Sequence, residues 1–200
     1  MKQSAILASS NKHKLEEIQK ILSAFDFELL TLAEVGLGDL EIIEDGETFE
    51  ENSYIKAKAV MDLKHMVTIA DDSGLEVDYL HGAPGVYSAR YAGEHVSYED
   101  NNKKLLKALE GVSRAQRTAR FVTVITMLFE NGDKIVARGE VSGIIETEIK
   151  GNGGFGYDPL FYVPEIGKTF AECTAEEKNK ISHRANALIQ LKALLKERQI

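Results

Sequence analysis

Apolar residues are grouped along the chain in two ways, as short continuous runs and as helically spaced sets. Residues 3–8 and 67–71 form short apolar runs, which are typical of buried strands. After the first run, apolar side chains recur every three or four positions, which predicts a helix. These side chains are Leu15, Ile18, Ile21, Leu22 and Phe25.

Three further segments carry the start signals of helices. Residues 48–51 and 174–177 both read Thr-x-x-Glu, the pattern of a capping box. Ser97 is placed to cap another helix, which we expect to end at Gly111. The segment after residue 177 continues with leucines on one helical face. These are Leu188, Leu191, Leu194 and Leu195.

The middle of the chain is rich in β-forming residues. Two such runs flank the turn signal at residues 131–133, Asn-Gly-Asp, which predicts an antiparallel hairpin over residues 120–149. Because helices and strands interleave, we predict an α/β fold with a mixed sheet. Residues 1–200 contain no repeat or linker, and we interpret them as a single domain.

The charge and the cysteine content of the chain limit the kinds of molecule that it can bind and the compartment that suits it. The net charge is −8 at pH 7, which disfavours a nucleic-acid polymer because such binding depends on neutralising phosphates. A small phosphorylated ligand is still compatible where a few lysines and arginines converge. No apolar run is long enough to span a membrane, and the single cysteine, Cys173, cannot form an intrachain disulfide. We therefore expect a cytoplasmic protein that contacts no membrane.

Residues 9–14, Ser-Ser-Asn-Lys-His-Lys, join the first predicted strand to the first predicted helix. Backbone N–H groups and the positive end of the helix dipole favour an anion at such a junction, and Lys12 and Lys14 add charge. The same residues also fit an ordinary helix start capped by Ser10 or Asn11, since the glycines of a phosphate-binding loop are absent.

Carboxylates are concentrated in two places. Six fall within residues 41–52, where Glu44 is the best candidate to face a site and an acidic solvated loop is the alternative. Asp71 and Asp72 stand together where we expect the second apolar run to end. Two such charges repel by about 1 kcal/mol at 4 Å in water and by more at lower dielectric, and a divalent cation would remove that cost. Residues 71–74 also fit a helix cap followed by a turn.

Two later stretches combine aromatic, charged and small residues. Residues 151–161 are rich in glycine and place Phe155 and Tyr157 beside Asp158. This composition suits a flat heterocycle, and it also fits a flexible loop with core aromatics. Residues 177–188 carry polar side chains where an amphipathic helix begins, in a site or simply exposed to solvent. These side chains are Lys178, Ser182, His183 and Arg184.

In this order, the five stretches resemble the family of inosine/xanthosine triphosphate pyrophosphatases. The resemblance spans residues 4–195. Residues 9–14 stand where the family usually has Thr-Gly-Asn-x-x-Lys, so Ser9 and Ser10 depart from its pattern. The other matching segments are EDGETFEENSYIKA, ADDSGLEVDYLHGAPGVYSARYAG, GGFGYDPLF and EKNKISHRANAL.

The resemblance implies a long, mixed, twisted β-sheet flanked by helices, in two lobes with an active-site cleft between them. It implies hydrolysis of a nucleoside triphosphate to the monophosphate and pyrophosphate, with Mg²⁺ as cofactor and Mn²⁺ as an alternative. The implied substrates are the non-standard purine nucleotides dITP, ITP, XTP and dXTP. The implied assembly is a homodimer.

The resemblance also implies roles for individual residues. Asp72 is the catalytic carboxylate, and Glu44 and Asp72 hold the metal. Arg90 either reaches the substrate or supports the fold. The residues that face the phosphates are Ser9, Ser10, Asn11, Lys14, Lys56 and Ser73. The residues that line the nucleoside pocket are Phe155, Gly156, Tyr157, Asp158, Lys178, His183 and Arg184.

Hydrogen bonding indicates how the base is selected. Hypoxanthine and xanthine carry an oxo acceptor at position 6, adenine carries an amino donor there, and arginine offers donors only. If Arg184 faces position 6, adenine is disfavoured by roughly 5- to 150-fold, because an unmet buried polar group costs about 1–3 kcal/mol.

Two other functional classes fit parts of the pattern. A phosphatase that forms an aspartyl-phosphate also begins with an apolar strand ending in Asp, but it expects Asp-x-Asp, which residues 71–74 do not match. A nucleotide sensor without catalysis would share the pocket, but it would not need a base beside a metal. The phosphatase would release orthophosphate instead of pyrophosphate, and the sensor would bind the nucleotide tightly without turnover.

Overall fold

A computed structural model describes residues 3–9 and 12–198. Within these residues, the strands are β1 (Gln3–Leu7), β2 (Phe27–Thr31), β3 (Val67–Val77), β4 (Thr118–Leu128), β5 (Lys134–Ile145), β6 (Phe161–Val163) and β7 (Lys168–Thr169). The α-helices are α1 (Lys12–Leu22), α2 (Phe49–Lys64), α3 (Tyr98–Ala108), α4 (Ala175–Ile181) and α5 (His183–Glu197). The predicted cap of α1, Ser10 or Asn11, lies outside the described residues.

The strands form a mixed sheet in the order β2-β1-β3-β4-β5-β6-β7. β1 runs parallel to β2 and β3, whereas β6 runs antiparallel to β5 and β7. In the predicted turn between β4 and β5, the N–H of Phe129 donates to the carbonyl of Asp133 at 2.9 Å. Gly132 adopts φ +86°, which a glycine accepts without strain. The predicted α/β class with a mixed sheet is confirmed.

The predicted capping boxes are confirmed. Thr48 Oγ1 accepts from the backbone N–H of Glu51 at 3.1 Å, and Glu51 Oε2 accepts from the N–H of Thr48 at 3.1 Å. The same exchange starts α3 at Ser97 and α4 at Thr174. Each box satisfies backbone donors that have no partner inside the helix.

The chain divides into two compact units. Unit 1 comprises Met1–Asp72, Thr123–Gly139 and Ala187–Ile200. It buries apolar layers on both faces of its strands, because side chains alternate along a strand. One layer joins Ala5, Leu7, Val67 and Ile69 to Ile18 and Leu22 of α1 and to Leu191 and Leu195 of α5. The other joins Ile6, Ala8 and Ala70 to Ala57 and Val60 of α2.

Unit 2 comprises Ser73–Val122 and Glu140–Asn186. Its core is built around Phe121, Phe161 and Phe170, whose rings contact one another with centroids 4.5–6.0 Å apart. Leu105 and Leu109 bring α3 and the turn after it into the same core. This core supports the glycine-rich loop and the start of α5.

Three predicted boundaries are wrong. β3 does not end at residue 71 but runs on through Asp71, Asp72 and Ser73 to Val77, because each carboxylate has its own lysine partner and the strand can carry both. The helical stretch after Thr174 is not continuous. Ser182 has an extended ψ of 157° and separates α4 from α5. Helix α3 ends at Ala108, three residues before Gly111.

Candidate functional site

Asp71 and Asp72 leave opposite faces of β3, because consecutive side chains in a strand alternate. Asp71 shares the face of Ile69 and lies against α1, where its Oδ2 is 2.7 Å from Nζ of Lys14. Its side chain is only 2% exposed. A buried carboxylate is costly unless it is paired, so Lys14 stabilises the ionised form of Asp71.

Asp72 shares the face of Ala70, and its partner comes from α2. Nζ of Lys56 lies 2.7 Å from Oε2 of Glu44 and 3.3 Å from Oδ1 of Asp72. One ammonium therefore contacts both predicted metal ligands. The distance between Oε2 of Glu44 and Oδ1 of Asp72 cannot exceed the sum of these two contact distances. The sequence separations are 12 and 16 residues, so the cluster depends on the fold.

Burial and charge change the pKa values in this cluster. Burial raises the pKa of Asp72; the Lys56 ammonium opposes the rise, and the Glu44 carboxylate adds to it. Burial alone would lower the pKa of Lys56, but the carboxylates of Asp72 and Glu44 outweigh it, so that pKa is raised. The lysine is therefore held as a cation between two acids.

The segment before α2 positions Glu44. The N–H of Gly46 donates to Oδ1 of the buried Asn52 at 2.9 Å. A Cβ on Gly46 would lie 2.7 Å from Cβ of Glu51, so the close approach of this turn to the helix requires a glycine. Together with the capping box of α2, these contacts fix the path of the chain just after Glu44.

The donor set fits a hard divalent cation that takes most of its ligands from water and substrate. Among the described residues, no group of three or more His, Cys, Asp or Glu side chains converges on one point. Oδ2 of Asp72 is buried and makes no hydrogen bond within normal geometry among the described residues, although the side chain of Asn52 lies close enough to lower the pKa of this carboxyl. Mg²⁺ is usually bound in proteins by one or two carboxylates together with phosphates and waters. Glu44 and Asp72 match that requirement.

Unit 2 contains a pocket with a cavity volume of about 150 Å³. Ser73, the residue that follows Asp72, lies in its wall. The other predicted site residues in the wall are Phe155, Gly156, Tyr157, Asp158, His183 and Arg184.

Asp158 organises the glycine-rich side of this pocket. Its Oδ2 accepts from the backbone N–H of Phe155 at 2.9 Å and from Nζ of Lys178 at 2.5 Å. The same Nζ lies 4.6 Å from the centroid of the Phe155 ring. Lys178 therefore pairs with a buried carboxylate and lies against a face of the Phe155 ring, and it is not part of the pocket wall.

The pocket aromatics differ in exposure. Phe155 is 49% exposed, whereas Tyr157 is 4% exposed and its hydroxyl donates to the carbonyl of Ser88 at 2.9 Å. Burial raises the pKa of Tyr157, so this hydroxyl stays protonated. His183 is also buried, and its ring stacks on Phe121 with centroids 4.9 Å apart. The alternative of Ser182 and His183 as exposed polar residues is wrong.

Most glycines of the loop at residues 151–156 are required for close packing of the backbone, and not to leave the backbone accessible to a ligand. A Cβ on Gly151 would lie 2.6 Å from the carbonyl carbon of Ala171, and one on Gly153 would lie 2.9 Å from the carbonyl oxygen of Ala171. A Cβ on Gly154 would overlap the carboxylate of Asp158. Only Gly156 has open space beside it. Close approach, rather than a bare backbone for a ligand, explains three of the four glycines.

The remaining predicted residues lie elsewhere. Ser9 is half-buried two residues after the end of β1, and Ser10 and Asn11 lie outside the described residues. Lys14 and Lys56 belong to the acidic cluster of unit 1. Arg90 stacks over the ring of Tyr87 at 5.2 Å and does not line the pocket.

Sequence reasoning missed several residues around these sites. Asp71 was grouped with Asp72, although it belongs with Lys14 on the other face of β3. Asn52 lies within a helix start, and the sequence pattern marks Tyr98 and Asn101, which line the pocket, only as part of a capped helix. The position of a tyrosine at the exposed start of a helix, next to the cap Ser97, indicates that its ring can lie at the surface.

No helix in the described ranges meets the length and apolarity needed to cross a membrane.

Comparison with known proteins is consistent along the whole chain. Residues 5–194 match the Ham1 family. A dITP/XTP pyrophosphatase of Clostridium perfringens is 53% identical over 197 residues, covering 96% of each chain. One of Listeria innocua is 51% identical over 195 residues, covering 96% of this chain and 94% of the relative. The solved structure of the Staphylococcus aureus Ham1 protein has a TM-score of 0.92 and 42% identity, covering 98% of this chain and 100% of that chain.

Proposed function

The chain belongs to the Ham1 family, and we propose that it hydrolyses non-standard purine nucleoside triphosphates to the monophosphate and pyrophosphate. The substrates that we propose are dITP, ITP, XTP and dXTP; the names of the relatives specify dITP and XTP. The family membership confirms the resemblance found in the five sequence stretches. Removal of such nucleotides would cleanse the nucleotide pool.

The observation that carries this proposal is the cluster of Glu44, Lys56 and Asp72. The residue that follows Asp72 in the chain already belongs to the wall of the pocket. Asp72 holds one carboxylate of the cluster, and Ser73 lines the pocket. Acids, lysines and a pocket with an exposed aromatic ring are the groups that a nucleoside triphosphate hydrolase requires. The peptide bond between Asp72 and Ser73 connects the two sets of groups.

The residues of unit 1 are proposed to act on the phosphates. A triphosphate carries about four negative charges, and attack of water at the α-phosphorus requires their neutralisation. Lys14 and Lys56 supply positive charge, and Ser9, Ser10 and Asn11 supply hydrogen-bond donors. Ser73, the first residue of unit 2, adds another donor. The carboxylate of Asp72 orients the attacking water and accepts its proton.

Glu44 and Asp72 are the residues that would hold the divalent cation, which we propose to be Mg²⁺, with Mn²⁺ as an alternative. When bound, it lowers the pKa of water and neutralises charge on the leaving pyrophosphate. Asp72 alone is a weak base, since an unperturbed aspartate has a pKa of about 3.9, and burial raises the pKa of this carboxylate.

The pocket of unit 2 is proposed to select and hold the base. Phe155 offers a half-exposed ring for stacking, which favours any purine. Arg184 offers only donors, so it favours a 6-oxo purine over adenine. Gly156, Tyr157 and Asp158 shape the wall, Lys178 holds Asp158, and His183 adds an imidazole.

We further propose that the protein is a homodimer in the cytoplasm. The sequence resemblance supports the dimer, and Cys173, which is outside any disulfide, suits a reducing compartment. Sedimentation equilibrium tests the assembly. A mass of about twice 22.2 kDa is expected, and the mass of a single chain would contradict the dimer.

The activity is tested by separating the products of dITP and XTP hydrolysis in the presence of Mg²⁺. We expect equal amounts of monophosphate and pyrophosphate, much slower turnover of dATP, and turnover slowed by at least about 10²–10⁴-fold when Asp72→Asn replaces the wild type. Release of orthophosphate would support the aspartyl-phosphate class instead. Tight nucleotide binding without turnover would support the sensor.

A further inference from the structure

Two aromatic rings dominate the accessible apolar surface of the pocket wall. Phe155 is 49% exposed, and Tyr98 is 57% exposed. The other rings of the wall are those of Phe121, Tyr157 and His183, and each of these residues is at most 7% exposed. In this pocket, a flat ligand that stacks on an aromatic ring can therefore reach only the rings of Phe155 and Tyr98 among the described residues.

The two rings form a corner rather than a slot. Their centroids are 6.4 Å apart and their planes are inclined by 43°. A purine between two rings would need about 7–8 Å, because each ring contact needs about 3.5–4.0 Å. A base that lies on Phe155 would thus have the ring of Tyr98 along its side, and it would not be sandwiched between the two rings.

Helix α3 fixes the position of Tyr98 in this corner. Tyr98 is the first residue of the helix, directly after the cap Ser97. One turn later, Oδ1 of Asn101 accepts from the N–H of Ala92 at 2.7 Å. The amide of the next residue, Asn102, donates to the carbonyl of Gly156 at 2.9 Å.

These bonds tie α3 to the loops on both sides of the pocket. Nδ2 of Asn101 donates to the carbonyl of Ala89, which lines the pocket, and Gly156 follows Phe155 in the glycine-rich loop. Asn102 therefore links the helix that carries Tyr98 to the loop that carries Phe155. Hydrogen bonds between asparagine side chains and the backbone of both loops therefore hold the corner between the two rings.

We propose that Tyr98 is a substrate-contacting residue that forms an aromatic corner with Phe155 around the purine ring system. This proposal rests on the proposed function, since it deepens the assignment of the same pocket. The contact is made by the ring, because the hydroxyl is not required for stacking or edge contact. Tyr98 therefore adds affinity for purines without choosing among them.

Tyr98→Ala tests the proposal in steady-state kinetics. We expect KM for dITP and for XTP to rise roughly 5- to 150-fold, as for loss of one base–aromatic contact, with kcat and the preference for ITP over ATP unchanged. Tyr98→Phe should behave like the wild type, and Tyr98→Leu should keep bulk but lose affinity. Tyr79→Ala is the matched control, because Tyr79 is 49% exposed in the same unit and lies outside the pocket wall.

Binding measurements separate this proposal from the proposed function. Calorimetry of IMP should show the same loss of affinity in Tyr98→Ala, whereas inhibition by inorganic tripolyphosphate should not change. Wild-type affinity of Tyr98→Ala for IMP would overturn the role of Tyr98 even if dITP is hydrolysed. Failure of the wild type to hydrolyse dITP or XTP would overturn the proposed function, and the IMP titration would still decide the role of Tyr98.

Discussion

Replacing Lys56 with methionine removes the ammonium that Glu44 and Asp72 share while keeping a long side chain in α2. Removal of one partner from a fully buried ion pair costs about 3–5 kcal/mol. The Glu44 side chain is 33% exposed, so solvent partly replaces the lost charge and we expect a cost of about 2 kcal/mol. For a chain of this length, the melting temperature should fall by about 4–8 °C.

The same substitution should have the opposite effect on metal binding. Lys56 competes for the two carboxylates that we assign to the cation, so Lys56→Met should bind Mn²⁺ at least about tenfold more tightly without nucleotide. Tenfold corresponds to about 1.4 kcal/mol, well below the roughly 4 kcal/mol of two unit charges 4 Å apart at an effective dielectric of 20. Metal at a hundred times Kd should then add about 2.7 kcal/mol of stability, which restores the melting temperature.

Electron paramagnetic resonance of free Mn²⁺ and thermal melting with and without metal measure both effects. Lys58→Met is the control, because Lys58 lies on the same helix and pairs with Asp62 while both side chains are about half exposed. Such an exposed pair contributes about 0.3–0.5 kcal/mol, and its loss should leave Mn²⁺ binding unchanged. If Lys56→Met binds Mn²⁺ no better than the wild type, Glu44 and Asp72 do not hold the cation together.

Three further substitutions probe the chemistry and the pocket. Asp72→Asn should lower kcat for dITP by at least about 10²–10⁴-fold, because it removes the base as well as a metal ligand, while circular dichroism shows a folded protein. Gly154→Ala should raise KM for dITP and lower the melting temperature, because the new Cβ would displace the Asp158 carboxylate. Arg184→Ala should lower the ratio of kcat/KM for ITP over ATP by roughly 5- to 150-fold.

Each of these substitutions has an outcome that would contradict its reasoning. Wild-type turnover by Asp72→Asn would remove this carboxylate from the chemistry. Gly156→Ala is the control for Gly154→Ala, since both glycines have positive φ but only Gly156 has open space beside it; equal loss in both variants would mean that backbone strain alone matters. An unchanged ITP/ATP ratio would exclude Arg184 as the selector.

Local signals in the sequence were sufficient for much of the fold. The capping boxes at Thr48, Ser97 and Thr174 act within one helical turn, so the helix starts that they mark could be predicted. The Asn-Gly-Asp turn between β4 and β5 is equally local. These features need no knowledge of the tertiary contacts.

Features that depend on distant partners could not be predicted in the same way. β3 continues through Asp71 and Asp72 only because Lys14 and Lys56 meet them from two different helices. The two aromatic residues of the loop also differ in burial. Phe155 is half exposed, whereas Tyr157 is buried and its hydroxyl donates to the carbonyl of Ser88. Sequence spacing indicates which residues carry chemistry, but the fold decides which partner each one receives.

The position of bond cleavage tests the central claim most directly. Hydrolysis of dITP in water labelled with heavy oxygen, followed by mass spectrometry of both products, shows which phosphorus the water attacks. Attack at the α-phosphorus predicts label in the monophosphate and none in the pyrophosphate. Label in pyrophosphate, or release of labelled orthophosphate, would contradict the account.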